Sequence, residues 1–489
     1  MNRPFLNIMS VLLAWIFVSC GEDVKNVVRT EEPSPLAEEY AGVTVPPNIA
    51  SLNFFVKAAD GEEALILTYG DKNLVAKNKK GAIIPELGDW KKLLQEAKGQ
   101  QIQVEHCVRT SDGWKAYQPF ALQVAEENID SHLAYRLIPP GYVMWNEMGI
   151  YQRNLENFDE MAILTNRQTD RNCMNCHSFC MQDPDKMMFH LRTKHAGTVL
   201  VNDGNITKLE TKTEQTISAL VYPYWHPSGK YIAYSVNDTK QLFHTNHQNR
   251  VEVMDLASDV VVYDVEKNEV VAAPQFFNKD VFETFPSFSP DGKTLYYCAA
   301  RSQAIPDDVD KLRYHLCAIA FDAETRTFGD KVDTLFHAEK EDKSVSFPRV
   351  SPDGKYLMFT LADNATFPIW HQEADLWMLD LQSGEKTCLN LLNSNSVESY
   401  HSWSSNSRWV VFSSRRMDGL YTRPYIAYVY ADGKVGKPFV LPQKKGDFYL
   451  KNMNSYNIPE LVNGKVNVGR SELLRHALSE EKKQVKSQI

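Results

Sequence analysis

The residues of this sequence best suited to chemistry are two cysteines and a histidine near the middle of the chain. Cys173, Cys176 and His177 form a Cys-X-X-Cys-His pentapeptide. Thiols at this spacing can bond to the two vinyl groups of haem as thioethers, and the adjacent histidine can then bind the iron. The pentapeptide therefore predicts one covalent c-type haem, held by Cys173 and Cys176, with His177 as the proximal iron ligand.

A distal iron ligand is expected a short distance further along the chain. Asp183 and Pro184 predict a helix start, because a carboxylate can cap the first turn and proline fits the first helical position. A helix from there to about residue 195 places Met187 and His190 on one face. His190 is the preferred distal ligand, and an iron with no distal protein ligand is the alternative. The other candidates are Met181, Met187, Met188 and His195.

Zinc is the main rival to haem at this segment. After Cys173 and Cys176 come 13 residues, then His190, four more residues and His195, which is the spacing of a Cys2His2 zinc finger. Cys180 offers a further thiolate. A zinc site would leave His177 without a role, and a redox-active dithiol is the third possibility.

The elements that must position this segment include a repeated strand, tight turn and second strand from about residue 215 onward. The clearest copies read Phe-Ser-Pro-Asp-Gly-Lys at 288–293 and Val-Ser-Pro-Asp-Gly-Lys at 350–355, with related turns at 225–230 and 403–408. Such turns favour hairpins. The first three copies place their prolines 63 and 62 residues apart. Four strands per unit at this period indicate the blades of a β-propeller.

The Ser-Pro-Asp-Gly-Lys turn followed by an aromatic strand resembles the TolB-like (PD40/WD40-like) propeller repeat, as does Phe-Ser-Ser-Arg at 412–415 in the fourth copy. The resemblance implies a propeller over residues 198–470. It has five blades, or six if a degenerate blade lies between 236 and 280. In the five-blade arrangement, strands at 198–201 and 206–209 belong to a blade completed by residues near 448–461.

The rest of the chain divides into shorter regions. Residues 46–150 alternate apolar and polar side chains and predict a small β-rich domain. It contains one helix, which Asp89 caps and Gly99 ends. Residues 151–197 are the predicted haem segment with its short helix, and residues 471–489 are a polar C-terminal tail. The expected fold class is therefore mainly β.

The N-terminus has the layout of a secretory signal over residues 1–20. A short positive start precedes an apolar run at 5–18, which is too short for a comfortable membrane span. Phe-Val-Ser-Cys at 17–20 resembles a bacterial lipobox, which implies that Cys20 carries a lipid anchor. Residues 21–45 are then a linker, and the protein is expected at the bacterial cell envelope.

Composition excludes several classes of function. The chain has 489 residues, 62 acidic and 53 basic side chains, and a formal charge of −9, so nucleic acid is not an expected partner. Its eight cysteines are too few for a disulfide scaffold. Cys298 and Cys317 are the only pair expected on neighbouring strands. The sequence contains no Gly-X-Ser-X-Gly, phosphate-binding glycine loop or His-Glu-X-X-His motif.

These observations together predict a lipoprotein with one covalent haem c, more an electron carrier or binding protein than an enzyme. Electron transfer or redox-linked binding is expected, with the propeller docking a redox or envelope partner. One alternative is a TolB-like scaffold or binding propeller with a structural haem or zinc site. A haem peroxidase-like enzyme is the other. The membrane is expected as a partner only through the N-terminal lipid.

Overall fold

The computed structural model describes residues 24–55, 61–79, 81–139, 147–244 and 249–489. The predicted signal segment and Cys20 lie outside these residues. The described chain is mainly β, and six antiparallel sheets form the blades of a six-bladed propeller. The predicted fold class is confirmed, with the blade number at six.

Each blade has four antiparallel strands, numbered along the chain and ordered below from the channel outward. Blade 1 comprises β33 (Ser455–Val462), β10 (His132–Ile138), β11 (Gly149–Asn154) and β12 (Glu160–Thr165). Blade 2 comprises β13 (Met174–Phe179), β14 (Lys186–Leu191), β15 (Gly197–Asn202) and β16 (Asn205–Glu210). Blade 3 comprises β17 (Val221–Trp225), β18 (Tyr231–Phe243), β19 (Val251–Asp264) and β20 (Glu269–Val271). Blade 4 comprises β21 (Val281–Phe288), β22 (Thr294–Arg301), β23 (His315–Asp322) and β24 (Thr327–Phe336). Blade 5 comprises β25 (Ser344–Val350), β26 (Tyr356–Ala362), β27 (Asp375–Asp380) and β28 (Lys386–Cys388). Blade 6 comprises β29 (Glu398–Trp403), β30 (Trp409–Ser414), β31 (Arg423–Tyr428) and β32 (Phe439–Val440).

Blade 1 closes the ring by combining strands from opposite ends of the chain. Its innermost strand β33 pairs antiparallel with β10, so that His132 lies opposite Val462 and Ile138 opposite Ser455. The predicted boundary at residue 150 therefore falls inside a blade. The strands expected to share a blade with residues 448–461 instead form the outer half of blade 2. The predicted haem segment supplies the inner half of that blade.

The N-terminal part forms a nine-stranded sheet beside the propeller. Its strands are β1 (Val27–Pro33), β2 (Thr44–Val45), β3 (Phe54–Phe55), β4 (Glu63–Tyr69), β5 (Lys72–Lys79), β6 (Ala82–Ile83), β7 (Gln101–Thr110), β8 (Gly113–Gln118) and β9 (Phe120–Val124). Because β1 pairs with β8, the predicted linker at 21–45 lies partly within this sheet. The apolar core of the domain continues into blades 1 and 6 through Trp409, Ile426 and Tyr456.

Helices are few and short. In the described residues they are α1 (Ala37–Tyr40), α2 (Leu87–Glu96), α3 (Ala338–Glu341), α4 (Phe448–Lys451) and α5 (Arg470–Leu478), with single 3-10 turns at Asn166–Gln168, Thr193–His195, Pro274–Phe276 and Val309–Lys311. Glu86 rather than Asp89 caps α2, and its carboxylate accepts the Asp89 N–H at 3.0 Å. Among the described residues, no helix combines the length and apolar character that a membrane crossing requires.

The C-terminal segment is ordered and packs against the outer edges of two blades. After α5, β34 (Lys483–Gln484) adds a parallel strand to β16, and β35 (Lys486–Ser487) adds one to β20. Val485, between them, is 2% exposed. The predicted polar tail is therefore a strap that joins blades 2 and 3.

The helix expected after Asp183 is instead the strand β14. Asp183 starts a tight turn, and Met187, Phe189 and Leu191 then point into one apolar core while Met188 points into another. In a strand, residues an odd number apart lie on opposite faces, so Met187 and His190 do not share one. The apolar run is short enough to fit both the 3.6-residue period of a helix and the two-residue period of a strand. Its pairing with β13 and β15 makes it a strand.

Cys298 and Cys317 lie on neighbouring strands as expected, but both are free thiols. Cys298 packs between blades 4 and 5, and Cys317 packs in the core between blades 3 and 4. Their side chains therefore lie on opposite faces of blade 4.

Candidate ligand-binding channel

The six innermost strands share a backbone irregularity at the central channel. Each has one non-glycine residue with positive φ, at +46° to +54°, where the pairing register with the next strand shifts. These residues are Cys176, Tyr222, Phe285, Phe347, Tyr400 and Ile458. A left-handed conformation costs such residues free energy, and β-bulges are one place where it occurs. The repetition in all six blades makes the bulge part of the propeller's architecture.

The bulges show that Cys176 and His177 belong to the blade repeat. Cys-His-Ser-Phe at 176–179 occupies the position of Tyr-His-Ser-Trp at 400–403, and a proline replaces the histidine in the other four blades. His177 and His401 are both buried and line the channel. The histidine of the Cys-X-X-Cys-His motif therefore has a structural equivalent in a blade without cysteines at these positions.

A ring formed by several aromatic side chains divides the channel into two chambers. Tyr222, Phe285, Phe347 and Tyr400 pack against one another in sequence, with centroids 4.8, 4.5 and 4.8 Å apart. Phe367, from the loop between β26 and β27, contacts all four rings at 5.6 to 6.3 Å. The ring therefore obstructs a straight passage from one face of the propeller to the other.

The first chamber, which we call the histidine chamber, lies on the side where the innermost strands end. It has an empty volume of about 1070 Å³ including its open mouth. His177 and His401 line it, and burial lowers the pKa of each to about 3, so both are neutral. His401 donates from Nε2 to the Met358 carbonyl at 2.9 Å.

An arginine and a glutamate face the histidine chamber from equivalent positions of the repeat. The second residue after each bulge is Ser178, Tyr224, Ser287, Arg349, Ser402 or Glu460. Among these six, Arg349 alone has a guanidinium and Glu460 alone has a carboxyl group, and both line the chamber. Among the described residues, neither has an ion-pair partner. The Glu460 carboxylate accepts the Phe179 N–H at 2.9 Å.

The electrostatics of these two groups follow from burial. Burial raises the pKa of Glu460 to about 8, although the Phe179 N–H and the Arg349 charge oppose the rise. Burial also lowers the pKa of Arg349, whose guanidinium lies 4.9 Å from the Tyr224 ring centroid. An incoming ligand with a positive group would favour the ionised form of Glu460.

The second chamber, which we call the arginine chamber, lies on the side where the innermost strands begin. Its empty volume is about 1200 Å³ including its mouth, and its lining includes Arg136, Arg192 and Arg415. Polar side chains of Asn237 and Gln241 line it as well. They come from β18, which with β19 extends well beyond the other blade strands.

A buried ion pair connects this long hairpin to the loop that carries Phe367. His371 Nε2 lies 2.9 Å from a carboxylate oxygen of Glu252 on β19, and Nδ1 lies 3.1 Å from Glu373. Burial alone would lower the pKa of His371, but the two carboxylates outweigh it and raise the pKa to about 9. The imidazolium therefore holds the loop and the hairpin together at neutral pH.

The structure brings only part of the predicted haem site together. Cys176 and His177 line the histidine chamber, and Cys173 lines the arginine chamber. Of the distal candidates, Met181 lines a chamber. His190 is buried with Nδ1 3.0 Å from the Thr198 hydroxyl.

The remaining candidates point elsewhere. Met187 and Met188 lie in two apolar cores, and His195 contacts Asp170 at 3.0 Å and Glu480 at 3.3 Å. The predicted pairing of His177 with a distal His190 is not supported by these positions.

The residues fit the runner-up metal poorly. Within the described ranges, no group of three or more His, Cys, Asp or Glu side chains is arranged to hold a metal ion. His190 and His195, the expected zinc ligands, are engaged with Thr198 and with two carboxylates.

The fit to a covalent haem is better at the attachment residues. The thiols of Cys173 and Cys176 are free and border the channel. In the part of the chain that the structure describes, neither ring nitrogen of His177 has a hydrogen-bond partner of good geometry. These residues could hold the group, and when bound it would supply redox chemistry.

Comparison with known families supports a β-propeller over part of the chain. Residues 214–418, less than half of the chain, match the family model of the prolyl oligopeptidase N-terminal β-propeller domain. The matched region covers blades 3 to 5 and the two inner strands of blade 6. This finding overturns the sequence-based prediction of electron transfer or redox-linked binding. It also leaves the alternatives, a scaffold with structural haem or zinc and a haem peroxidase, without support.

Solved structures resemble this chain at low sequence identity. A prolyl endopeptidase structure matches with 10% identity, 69% of this chain, 41% of its own and a TM-score of 0.33. A puromycin-hydrolysing peptidase of Mycobacterium tuberculosis matches with 13% identity, 84% of this chain, 56% of its own and a TM-score of 0.33. The periplasmic gluconolactonase of Pseudomonas aeruginosa matches with 13% identity, 64% of this chain, 96% of its own and a TM-score of 0.32. The chain thus spans about half the length of the peptidases. No curated protein sequence matches.

Sequence reasoning missed Arg349, Glu460 and the arginine chamber. These residues lie in different blades, so no local motif contains them. The available signal was the repeat itself, because aligning the Phe-Pro, Tyr-Pro and Ile-Pro dipeptides places Arg349 and Glu460 where other blades have serine or tyrosine.

Proposed function

We propose that the protein is a peptide-binding propeller of the peptidase type, with the histidine chamber as its binding site. The observation that carries this proposal is the position of Arg349 and Glu460. Both face one aromatic chamber without an ion-pair partner among the described residues, at repeat positions where the other blades have uncharged side chains.

A short peptide with free ends has the chemistry that these two groups recognise. A guanidinium binds a carboxylate through two parallel hydrogen bonds, which suits Arg349 to the C-terminal group. Glu460 can accept hydrogen bonds from an N-terminal ammonium, and the ring of Tyr222, Phe285, Phe347 and Tyr400 offers apolar surface for side chains. The family match to a prolyl oligopeptidase propeller supports a peptide over other zwitterions.

The test is calorimetric titration of the full chain with the tripeptide Ala-Phe-Ala. We expect the free peptide to bind and the same peptide acetylated and amidated at its ends to bind at least about tenfold more weakly, because each lost charged contact is worth about 1.4 kcal/mol or more. Arg349→Gln and Glu460→Gln should each weaken binding of the free peptide. Arg301→Gln and Glu339→Gln, at a solvent-exposed pair, are the controls.

Equal affinity for free and blocked peptides, or no binding to either, would overturn the proposal. Mass spectrometry of the peptide after incubation adds a second readout. An intact peptide supports binding alone, and fragments with new ends support a peptidase activity.

Several predictions from the sequence remain proposals. Haem c at Cys173 and Cys176 is one, supported by the free thiols beside the channel. A specifically TolB-like identity is another, supported by the Ser-Pro-Asp-Gly-Lys turns. The lipid anchor at Cys20, the envelope location and a protein partner on the propeller rest on the sequence alone.

A further inference from the structure

The arginine chamber gathers three guanidinium groups from three consecutive blades. Arg136 lies on β10 of blade 1, Arg192 directly follows β14 of blade 2, and Arg415 directly follows β30 of blade 6. Blades 6, 1 and 2 are neighbours around the ring, so the three residues line one side of the same cavity. Like charges repel, and proteins normally separate such groups or neutralise them.

No carboxylate neutralises this cluster from within. Among the described residues, none of the three arginines has an ion-pair partner, and the chamber lining includes no aspartate or glutamate. Acidic groups act from outside the lining: Asp418 interacts with Arg415, Asp255 accepts a hydrogen bond from Asn237 at 3.0 Å, and Glu252 is engaged by His371. The cluster is therefore left with excess positive charge.

The guanidinium groups also have unused hydrogen-bonding capacity. Arg136 is 8% exposed, and its only side-chain hydrogen bond among the described residues is a long one of 3.4 Å to the Met174 carbonyl, with no partner for Nε. Arg192 makes no side-chain hydrogen bond among the described residues. A guanidinium carries five N–H groups, so several donors face the cavity unsatisfied.

Arg415 is held rigidly in place. Its Nε donates to the Ile369 carbonyl at 3.1 Å, and its guanidinium stacks 3.4 Å from the Trp370 ring centroid. Burial lowers the pKa of Arg415 to about 9, and an anion bound nearby would oppose that shift. Rigid, partly desolvated guanidinium groups are well suited to oxyanions.

We infer that the arginine chamber is a binding site for a small organic oxyanion, bound by Arg136 and Arg192 with Arg415 beside it. The ligand carries more than one negatively charged oxygen group, since three positive charges face it. The aromatic faces of Trp370, Tyr222 and Tyr400 favour a ligand with an apolar body between those groups. This site does not depend on peptide binding, because the aromatic ring separates the two chambers.

The experiment is calorimetric titration of the full chain at low salt with three probes of similar size. They are tricarballylate for carboxylates, pyrophosphate for phosphates, and the uncharged tricarboxamide of propane as control. We expect one or both anions to bind, the amide not to bind, and affinity to fall as salt rises. The anion that binds more tightly identifies the oxyanion.

Variants link binding to the chamber. Arg192→Gln changes a partly exposed side chain with no hydrogen bond or ion pair among the described residues, so it should keep the melting temperature and weaken binding at least about tenfold. Arg136→Gln should weaken it as well. The exposed Arg301→Gln removes the same charge elsewhere and should leave affinity unchanged, and Arg349→Gln tests independence from the histidine chamber.

Three results would overturn the inference. The first is no binding of either anion at millimolar concentration. The second is equal binding of the uncharged amide. The third is an anion affinity that Arg192→Gln and Arg136→Gln leave unchanged while Arg301→Gln lowers it, which would place the anion on the general surface.

Discussion

Glu460 is a carboxyl group whose burial makes stability depend on pH. Its pKa is about 8 in the folded protein and ordinarily 4.5, so between these values the folded state binds the extra proton. The contribution of this group to the free energy of unfolding is complete below pH 4.5 and is lost as pH rises to 8, by about 1.4 kcal/mol per pH unit.

The variant Glu460→Gln should not show this loss of stability with rising pH. Its melting temperature relative to wild type should therefore rise from pH 5 to pH 8, whereas the exposed Glu339→Gln should follow wild type throughout. A constant difference between Glu460→Gln and wild type would contradict the assigned burial.

Cys173 and Cys176 allow a direct chemical test of the attached group. Protein purified from cells that mature c-type cytochromes should gain the mass of one haem under denaturing conditions and show a pyridine haemochrome band. Cys173→Ser should weaken the attachment, and Cys388→Ser, at a thiol remote from the channel, should not. Unmodified mass with thiols that react fully after unfolding would remove haem from this protein.

At this scale the sequence predicted residues that belong to one motif and missed those spread over several blades. The Cys-X-X-Cys-His pentapeptide is visible locally, and its members do border the channel. Arg349 and Glu460 are 111 positions apart in the sequence and become neighbours of one chamber only when the ring closes. The prediction that His177 binds iron depends on its adjacent cysteine. The equivalent His401 lacks such a cysteine, which shows that the blade repeat alone can place a histidine at this position.

The long β18–β19 hairpin and the loop at 363–374 form one wall of the arginine chamber, and His371 joins them. Its pKa of about 9 exceeds the ordinary 6.5, so its contribution is full below pH 6.5 and is lost as pH rises through 9. His371→Gln should destabilise the protein by roughly 3 kcal/mol at pH 7, because it leaves the buried Glu252 without its partner. Hydrogen exchange should then speed up in β18 and β19.

The same substitution should matter much less at pH 9.5, where wild type has also lost the charge. His337→Gln, at an exposed histidine, is the matched control. An effect of His371→Gln that is the same at pH 7 and pH 9.5 would show that packing, rather than the ion pair, joins these elements.

Elements were predictable where local signals agreed and mispredicted where they conflicted. Ser-Pro-Asp-Gly-Lys turns specify hairpins in blades 4 and 5, and the structure has them there. Asp183-Pro184-Asp185 fits both a helix start and a tight turn, and blade 2 uses it as the turn. Only the pairing of β14 with two neighbours decides between these, and that pairing depends on the whole blade.

For the whole molecule, the sequence predicted a propeller but could not show how the ring closes. Blade 1 pairs residues 132–138 with 455–462, across more than 300 positions, so no local repeat reveals it. Blade 2 carries an extra residue in its turn, since the Cys180 N–H bonds to Lys186 whereas Ser289 bonds to Thr294. The strand connection of blade 1 and the turn length of blade 2 therefore differ from the regular repeat. For this reason the sequence favours five blades rather than six.

The closed ring has a second connection in the C-terminal strap, which crosses from blade 2 to blade 3. Between its two short strands, Val485 is 2% exposed and packs with Leu209, Tyr263 and Val270 of those blades. Val485→Asp places a charge in this core and should cost at least about 3 kcal/mol, from lost apolar burial and desolvation of the carboxylate. Lys486→Asp changes an exposed neighbour and should cost far less.

Hydrogen exchange should increase first at β16 and β20 in Val485→Asp, while β33 and β10 keep their protection, because the strap and the blade 1 closure are separate connections. Equal loss of protection at β33 would show instead that the ring opens as one unit.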